Sequence, residues 1–577
     1  MTPPAGPGPK VEIYDTTLRD GSQQVGLDLT VTDKLRVAAA LDGLGVDVIE
    51  GGWPGSNPKD AEFFERAKSL ELKNAQLAAF GATRPPRRAV EDDANLAALL
   101  AAETPIVTLV GKAWTLHVDE ALRTTREENL AMVAESVAFI RAAGRRVVFD
   151  AEHFFDGYRA DRGYALAVLA AAAEAGADTL ALCDTNGGTL PDDVAAIVAE
   201  LAGDQAAWPH AQVGVHFHND ASCAVTNSVV AVAAGGRHVQ GAANGYGERC
   251  GNADLFSVIA SLELKRGHEL LPAGRLTALA STARTIADVA NLPFDARQPY
   301  VGPSAFATKA GLHASAIARR PDAYSHIAPA AVGNQPQVLV SELAGRSNVL
   351  AKAAQLGLDL STDPGLAGRV LDQVKEAEHR GYAFEAADAS FELLVRRSAG
   401  ILATWFELEG YRVVIERGAA QDRSEAIVRL QLGADRVVAV GEGVGPVDAL
   451  DQALRRGLIG VYPALARIRL ADYKVRILDG RDATRAVTRV VLTSADDDGE
   501  WTTVGVSEDI VTASWEALAD GVAYGLLRAG AAAQPDQPDR DQPGRDQPDR
   551  DQPGRDQPDR DRPGRDQGGA QLDLRSA

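Results

Sequence analysis

The sequence predicts an α/β protein: a closed (β/α)8 TIM barrel over the first 270 residues, small helical subdomains after it, and an α+β domain near the C-terminal end. Three observations lead there. Eight short apolar runs alternate with longer helix-like segments. The runs are apolar throughout, as in strands of a parallel sheet covered on both faces. Eight such units in about 260 residues match the size of a closed barrel. An open doubly wound sheet would carry a Gly-rich first turn, and DTTLRDGSQQ at 15–24 is not one.

The strand-like runs lie at 11–15, 46–50, 75–81, 105–110, 146–151, 178–183, 212–217 and 237–243. Helical segments are expected at 33–43, 126–143, 161–175, 191–202, 222–235 and 252–266. Residues 271–390 read as small helical subdomains over the barrel mouth. Residues 391–530 combine strand-like runs with a helix at 447–457, an α+β pattern. GEGVGP at 441–446 reads as a tight strand–helix turn with Pro446 opening the helix, rather than as a phosphate loop. Residues 1–10 are expected to be disordered. So is 531–577, where a five-residue repeat begins at Asp536 and places proline in every copy.

Composition narrows the function classes. Lys and Arg total 59 and Asp and Glu 80, a formal charge of −21. That balance argues against nucleic acid and anionic membranes as partners. The tail holds 11 Asp and 8 Arg, so it supplies only −3 of the total. Three scattered cysteines make neither a disulfide framework nor a Cys-based zinc site. MTPPAGPGPK has no apolar signal core, and the expected location is cytoplasmic.

Barrel chemistry gathers where strands end. Arg19 and Asp20 follow the first strand, Glu50 ends the second, and Asp150 and Glu152 end the fifth. Thr185 follows the sixth, His216 and His218 the seventh, and Asn252 opens the last helix. His216 and His218 are two apart on a strand, so both imidazoles face one way and can reach one ion. The plainer alternative is a pair of ordinary strand-end histidines. Asp20 and Asn252 add oxygen donors from neighbouring strands, which favours a divalent metal and leaves Zn, Mn and Mg open. Arg19 is either a structural ion-pair partner or a fixed cation for a keto acid. Asp150 and Glu152 share a strand face and are acid/base candidates, with structural pairing to Arg145 or Arg146 as the alternative.

DTTLRDGSQQ at 15–24, HFHND at 216–220 and NGYGERCGN at 244–252 resemble the signatures of the 2-isopropylmalate synthase/homocitrate synthase family. EGGWPGSNPKD at 50–60, GKAWTLHV at 111–118 and DAEHFFDGY at 150–158 are more similar to its citramalate branch. The resemblance continues through 299–329 and ends with GEGVGPVDALDQAL at 441–454. It implies a metal-dependent acyltransferase that condenses acetyl-CoA with a 2-oxo acid, pyruvate for the citramalate branch, without a redox nucleotide. It assigns the metal to Asp20, His216, His218 and Asn252, and the keto group to Arg19. It assigns the keto-acid carboxylate to Thr185, catalysis to Glu152 and His313, and a place near the site to Tyr324. For 391–530 it implies a regulatory, dimerising domain, a homodimer, and isoleucine as feedback effector. An aromatic residue occupies position 150 in some relatives, where this chain has Asp. The alternatives are a 2-isopropylmalate synthase acting on 2-oxoisovalerate and a non-catalytic metabolite sensor.

Overall fold

The computed structural model describes residues 10–534 apart from 205–206, 309–312, 314–315, 318, 321–322, 339–344, 361–362, 364, 417–422 and 479–485. Both segments expected to be disordered lie largely outside the described residues.

Eight parallel strands close into a barrel in sequence order. They are β1 (Glu12–Asp15), β2 (Val48–Gly52), β3 (Gln76–Ala82), β4 (Ile106–Lys112), β5 (Arg146–Glu152), β6 (Thr179–Asp184), β7 (Gln212–Phe217) and β8 (His238–Gly241). The ring closes where Glu12–Asp15 pair with His238–Gly241. Outside it run α1 (Val31–Leu44), α2 (Pro58–Ala67), α3 (Ala94–Ala101), α4 (Arg126–Ala142), α5 (Arg162–Glu174), α6 (Pro191–Gly203), α7 (Ala224–Ala233) and α8 (Leu255–Ser261).

Local chemistry sets the helix ends. α1 begins earlier than expected because Thr30 caps it: its hydroxyl accepts from Asp33 N, and the Asp33 carboxylate accepts from Thr30 N. Gly45 stops α1 at φ 102°, a conformation that favours glycine. Pro191 opens α6 at a position that needs no N–H donor.

The large core lies between strands and helices, with Phe63, Phe149, Phe154, Phe155, Phe217 and Phe256 fully buried. The barrel interior is layered by the strand period of two. Its lower layer is polar: Glu12 accepts from Arg146, His238 and Gln212. The middle layer is mainly apolar, formed by Tyr14, Val48, Ala78, Ile106, Val148 and Ala181. Gly214 leaves room there, since a Cβ would lie 2.8 Å from the His238 ring. The upper layer carries the ionisable groups.

The described residues form two compact units, residues 1–402 with 467–525, and 403–466 with the chain from 526 onward. The first unit also holds α9 (Leu279–Val289), α10 (Arg346–Gln355), α11 (Leu366–His379) and α12 (Asp388–Ser398), in keeping with the helical reading of 271–390. In the second, β9 (Glu407–Glu416), β10 (Arg423–Leu432) and β11 (Asp435–Gly443) form an antiparallel sheet with α13 (Pro446–Leu458). The GEGVGP turn is structural: a Cβ at Gly441 would lie 2.3 Å from Ala453 N, so glycine lets the helix meet the strand. A second antiparallel sheet contains β12 (Arg469–Ile477), β13 (Thr488–Asp496) and β14 (Gly499–Ser507) and is followed by α14 (Ile510–Arg528). Among the described residues, no helix is long and apolar enough to cross a membrane.

Candidate active site and metal centre

A cavity of about 600 Å3 opens at the C-terminal ends of the strands. Arg19, Asp20, Trp53, Phe80, Lys112, Asp150, Glu152, Thr185, His216 and His218 contribute to its lining.

Asp20, His216 and His218 are all buried. Asp20 Oδ2 lies 3.2 Å from His216 Nε2 and 3.7 Å from His218 Nε2. The two Nε2 atoms are themselves 3.3 Å apart. The ligand atoms of this trio all fall within 4.8 Å of one another. His216 Nδ1 donates to Gln240 Oε1 at 2.9 Å, and Gln240 Nε2 donates to Asp150 Oδ1 at 2.7 Å. With Nδ1 turned to Gln240, it is Nε2 that faces Asp20, the nitrogen a metal ligand would present. Burial disfavours charge on His216, but the hydrogen bond and charge of Asp20 outweigh it and raise the imidazole. Burial favours uncharged groups here, but Arg19 and His216 hold the Asp20 carboxyl well below the usual range. Burial and the neighbouring His216 push His218 down to about 3.

These residues fit a divalent cation. Two imidazole nitrogens and a carboxylate converge, and such a donor set suits a metal of intermediate hardness. Asn252 Nδ2 donates to Asp20 Oδ2 at 3.0 Å, while Asn252 Oδ1 is buried without a partner. The side chain thus stands beside the cluster with a spare acceptor.

Arg19 is fixed on three sides. Its Nε donates to Glu50 Oε2 at 2.6 Å, its Nη1 lies 3.5 Å from Asp20 Oδ1, and its guanidinium covers the Phe80 ring at 3.7 Å. Burial opposes its charge, but Glu50 and Asp20 outweigh that and keep it protonated. Tyr14 donates to the other Glu50 oxygen at 2.9 Å. Trp53 meets Phe80 edge-on, with ring centroids 5.5 Å apart, and its indole N–H donates to Asn95 Oδ1 at 2.6 Å. The ion-pair and keto-binding readings of Arg19 are thus compatible.

At the fifth strand, the alternative reading, a pairing of Asp150 or Glu152 with Arg145 or Arg146, is not found among the described residues. Arg146 belongs to the lower layer and binds Glu12. Asp150 accepts from Gln240, and Glu152 is ion-paired with Lys112. Thr185 Oγ1 accepts from His153 N at 3.0 Å, which leaves its O–H to donate. The structure does not bring His313 or Tyr324 to the cavity. Their rings stack on each other at 4.3 Å, both exposed, and neither contributes to the cavity lining.

Sequence reasoning missed Lys112, Phe80, Trp53 and Gln240. Lys112 had a visible signal: it continues the alternation Thr108, Val110, Lys112 on the inward face of β4.

Comparison with known proteins agrees with this architecture. The HMGL-like family profile matches residues 10–286, the homocitrate synthase post-HMGL domain-like profile 300–381, and the LeuA allosteric (dimerisation) domain profile 385–526. An (R)-citramalate synthase of Streptomyces coelicolor is 52% identical, with 90% of this chain and 97% of that one covered. An (R)-citramalate synthase of Synechocystis is 48% identical, with 89% and 96% covered. A probable 2-isopropylmalate synthase of Methanopyrus kandleri is 32% identical, with 89% and 98% covered. The chain belongs to the citramalate synthase and 2-isopropylmalate synthase family of HMGL-like enzymes.

Proposed function

We propose that the protein is a citramalate synthase, condensing acetyl-CoA with pyruvate to give (R)-citramalate and CoA in the isoleucine route. The observation that carries this is the Asp20–His216–His218 cluster beside the immobilised Arg19 guanidinium at the barrel mouth. Similarity to five citramalate synthases at 42–52% identity, against 31–33% for two 2-isopropylmalate synthases and one putative citramalate synthase, supports pyruvate as the acceptor.

Asp20, His216 and His218, with Asn252 adjacent, would hold a divalent cation, and that ion when bound would supply Lewis-acid polarisation of the 2-oxo acid. Arg19 donates toward the keto oxygen and stabilises the charge that develops there as the new C–C bond forms. Its fixed setting means little reorganisation is needed at that moment. Thr185 donates its hydroxyl proton to the substrate carboxylate. Proton removal from the acetyl methyl group is assigned to Glu152, which lines the cavity, and to His313, whose part rests on the family resemblance. The enolate carbon then attacks the keto carbon, and water cleaves the thioester to release CoA thiol. The segment resembling the LeuA domain is assigned to a cytoplasmic homodimer and to isoleucine feedback.

A CoA-release assay with a panel of 2-oxo acids tests the reading. Pyruvate should give the highest kcat/KM. A preference for 2-oxoisovalerate would move the protein to the isopropylmalate branch, and no release with any acid would overturn the catalytic reading. Isoleucine at millimolar levels should lower the rate with pyruvate.

A further inference from the structure

Lys112 and Glu152 close adjacent strands at the barrel mouth. The β4–β5 register places them side by side, and both line the cavity. Paired residues of a parallel sheet point to the same face, so both side chains project inward. Asn129 of α4 donates to Lys112 O at 2.9 Å and anchors that strand end. Ala113 N donates to Glu152 O at 3.2 Å, which ties the two ends together.

The other cavity-lining cations are committed. Arg19 serves Glu50 and Asp20. Arg84 is paired with Glu128 and Glu135, both of α4. Lys112 is bound only to Glu152 among the described residues. An ammonium has three donors, so it can hold Glu152 and keep N–H groups in reserve.

The groups around Glu152 leave Lys112 as its cation. Asp150 is on the same strand, Cys183 faces from β6, His117 and Asp156 stand on the short helical segments after β4 and β5, and His153 precedes the second of these. His117 and His153 are 4.1 Å apart between ring centroids. Burial lowers both imidazoles, Lys112 further disfavours charge on His117, and His117 does the same for His153. Both are therefore neutral at neutral pH. Asp150, Asp156 and Cys183 contribute no positive charge.

We propose that Lys112 is a positioning residue of the reaction, the cation that pairs with Glu152 and holds it aimed into the barrel mouth. The inference rests on the role given to Glu152 above. With Lys112 in place, one carboxylate oxygen is engaged and the other is available for proton transfer. Without it, Glu152 loses its ion-pair partner, and removing a nearby cation favours the protonated carboxyl.

The test is the pH profile of kcat for wild type, Lys112→Met, Lys112→Arg and Glu152→Gln. Lys112→Met should move the acidic limb up by about 1–2 pH units. Its kcat near neutrality should fall about tenfold or more, with the pyruvate KM changed less than about twofold. Lys112→Arg should return the limb toward wild type. A limb that stays in place in Lys112→Met overturns the proposal, as does a pyruvate KM raised tenfold at unchanged kcat, which would make Lys112 a substrate-binding cation. Glu152→Gln separates this from the underlying assignment: if it keeps full activity, the role of Glu152 itself fails. Should Lys112→Met not fold, Lys112→Gln is read in the same way.

Discussion

His216 donates through Nδ1 to Gln240 at 2.9 Å, and that bond decides which imidazole nitrogen faces Asp20. Gln240 is fully buried and is itself held by Asp150. Replacing Gln240 with Leu removes the acceptor and frees the His216 ring to rotate or change tautomer. Metal affinity should drop roughly 10- to 100-fold, the range for lost outer-shell partners. Calorimetric titration of apoprotein with Mn2+ or Zn2+ measures it without turnover. An unchanged affinity would show that Gln240 does not orient the ligand.

Glu50 is fully buried between Arg19 and Tyr14. Glu50→Gln leaves the Arg19 guanidinium with Asp20 alone. Breaking one side of a buried pair costs about 3–5 kcal/mol. The variant should melt several degrees lower and lose activity, because Arg19 can then shift from its place over Phe80. A melting temperature equal to wild type would mean that Asp20 alone suffices to hold the charge.

Much of the barrel and the metal cluster was legible because both obey strand alternation. His216 and His218 share a face by a count of two, and Asp20 follows the strand that closes against β8. Register and layer were not legible. Arg146 stood as an alternative partner of Asp150 or Glu152, yet it opens β5 where Glu152 closes it. Six residues of strand place them about 20 Å apart, beyond reach of an ion pair. The actual partner, Lys112, comes from the next strand through a pairing that only the closed barrel fixes. Gln240 escaped notice for a similar reason: an isolated Gln carries no chemistry until the fold sets it between His216 and Asp150. His313 and Tyr324 were linked to the site by resemblance alone, and the structure pairs them with each other instead.

His313 gives a separable outcome. Every group assigned to the 2-oxo acid, namely Arg19, Thr185 and the metal cluster, stands at the barrel mouth without it. His313→Ala should therefore leave pyruvate binding, measured by calorimetry on metal-loaded protein, within about twofold of wild type. If the residue shares proton transfer with Glu152, kcat should fall about 100-fold or more. Full activity would remove His313 from the mechanism, and lost binding would make it a substrate contact rather than a base.

Asp15 ties stability to pH. It is fully buried at the end of β1, where its two oxygens accept from the Thr17 N–H and hydroxyl. Burial raises its carboxyl to about 7, and the Thr17 bonds offset only part of that. The unfolded value is about 3.9. Below about pH 4 both states carry the proton, so the group adds no pH dependence. Between about pH 4 and 7 the unfolded chain releases its proton while the folded one retains it, so stability falls as pH rises. The total across that window is on the order of 4 kcal/mol. Asp15→Asn has no proton to lose and keeps an acceptor for the Thr17 N–H. Relative to wild type, the variant should gain stability steadily from pH 5 to about pH 7 in thermal melts and level off above it. A wild-type-to-variant difference that stays constant across that range would show that Asp15 is ionised in the folded barrel.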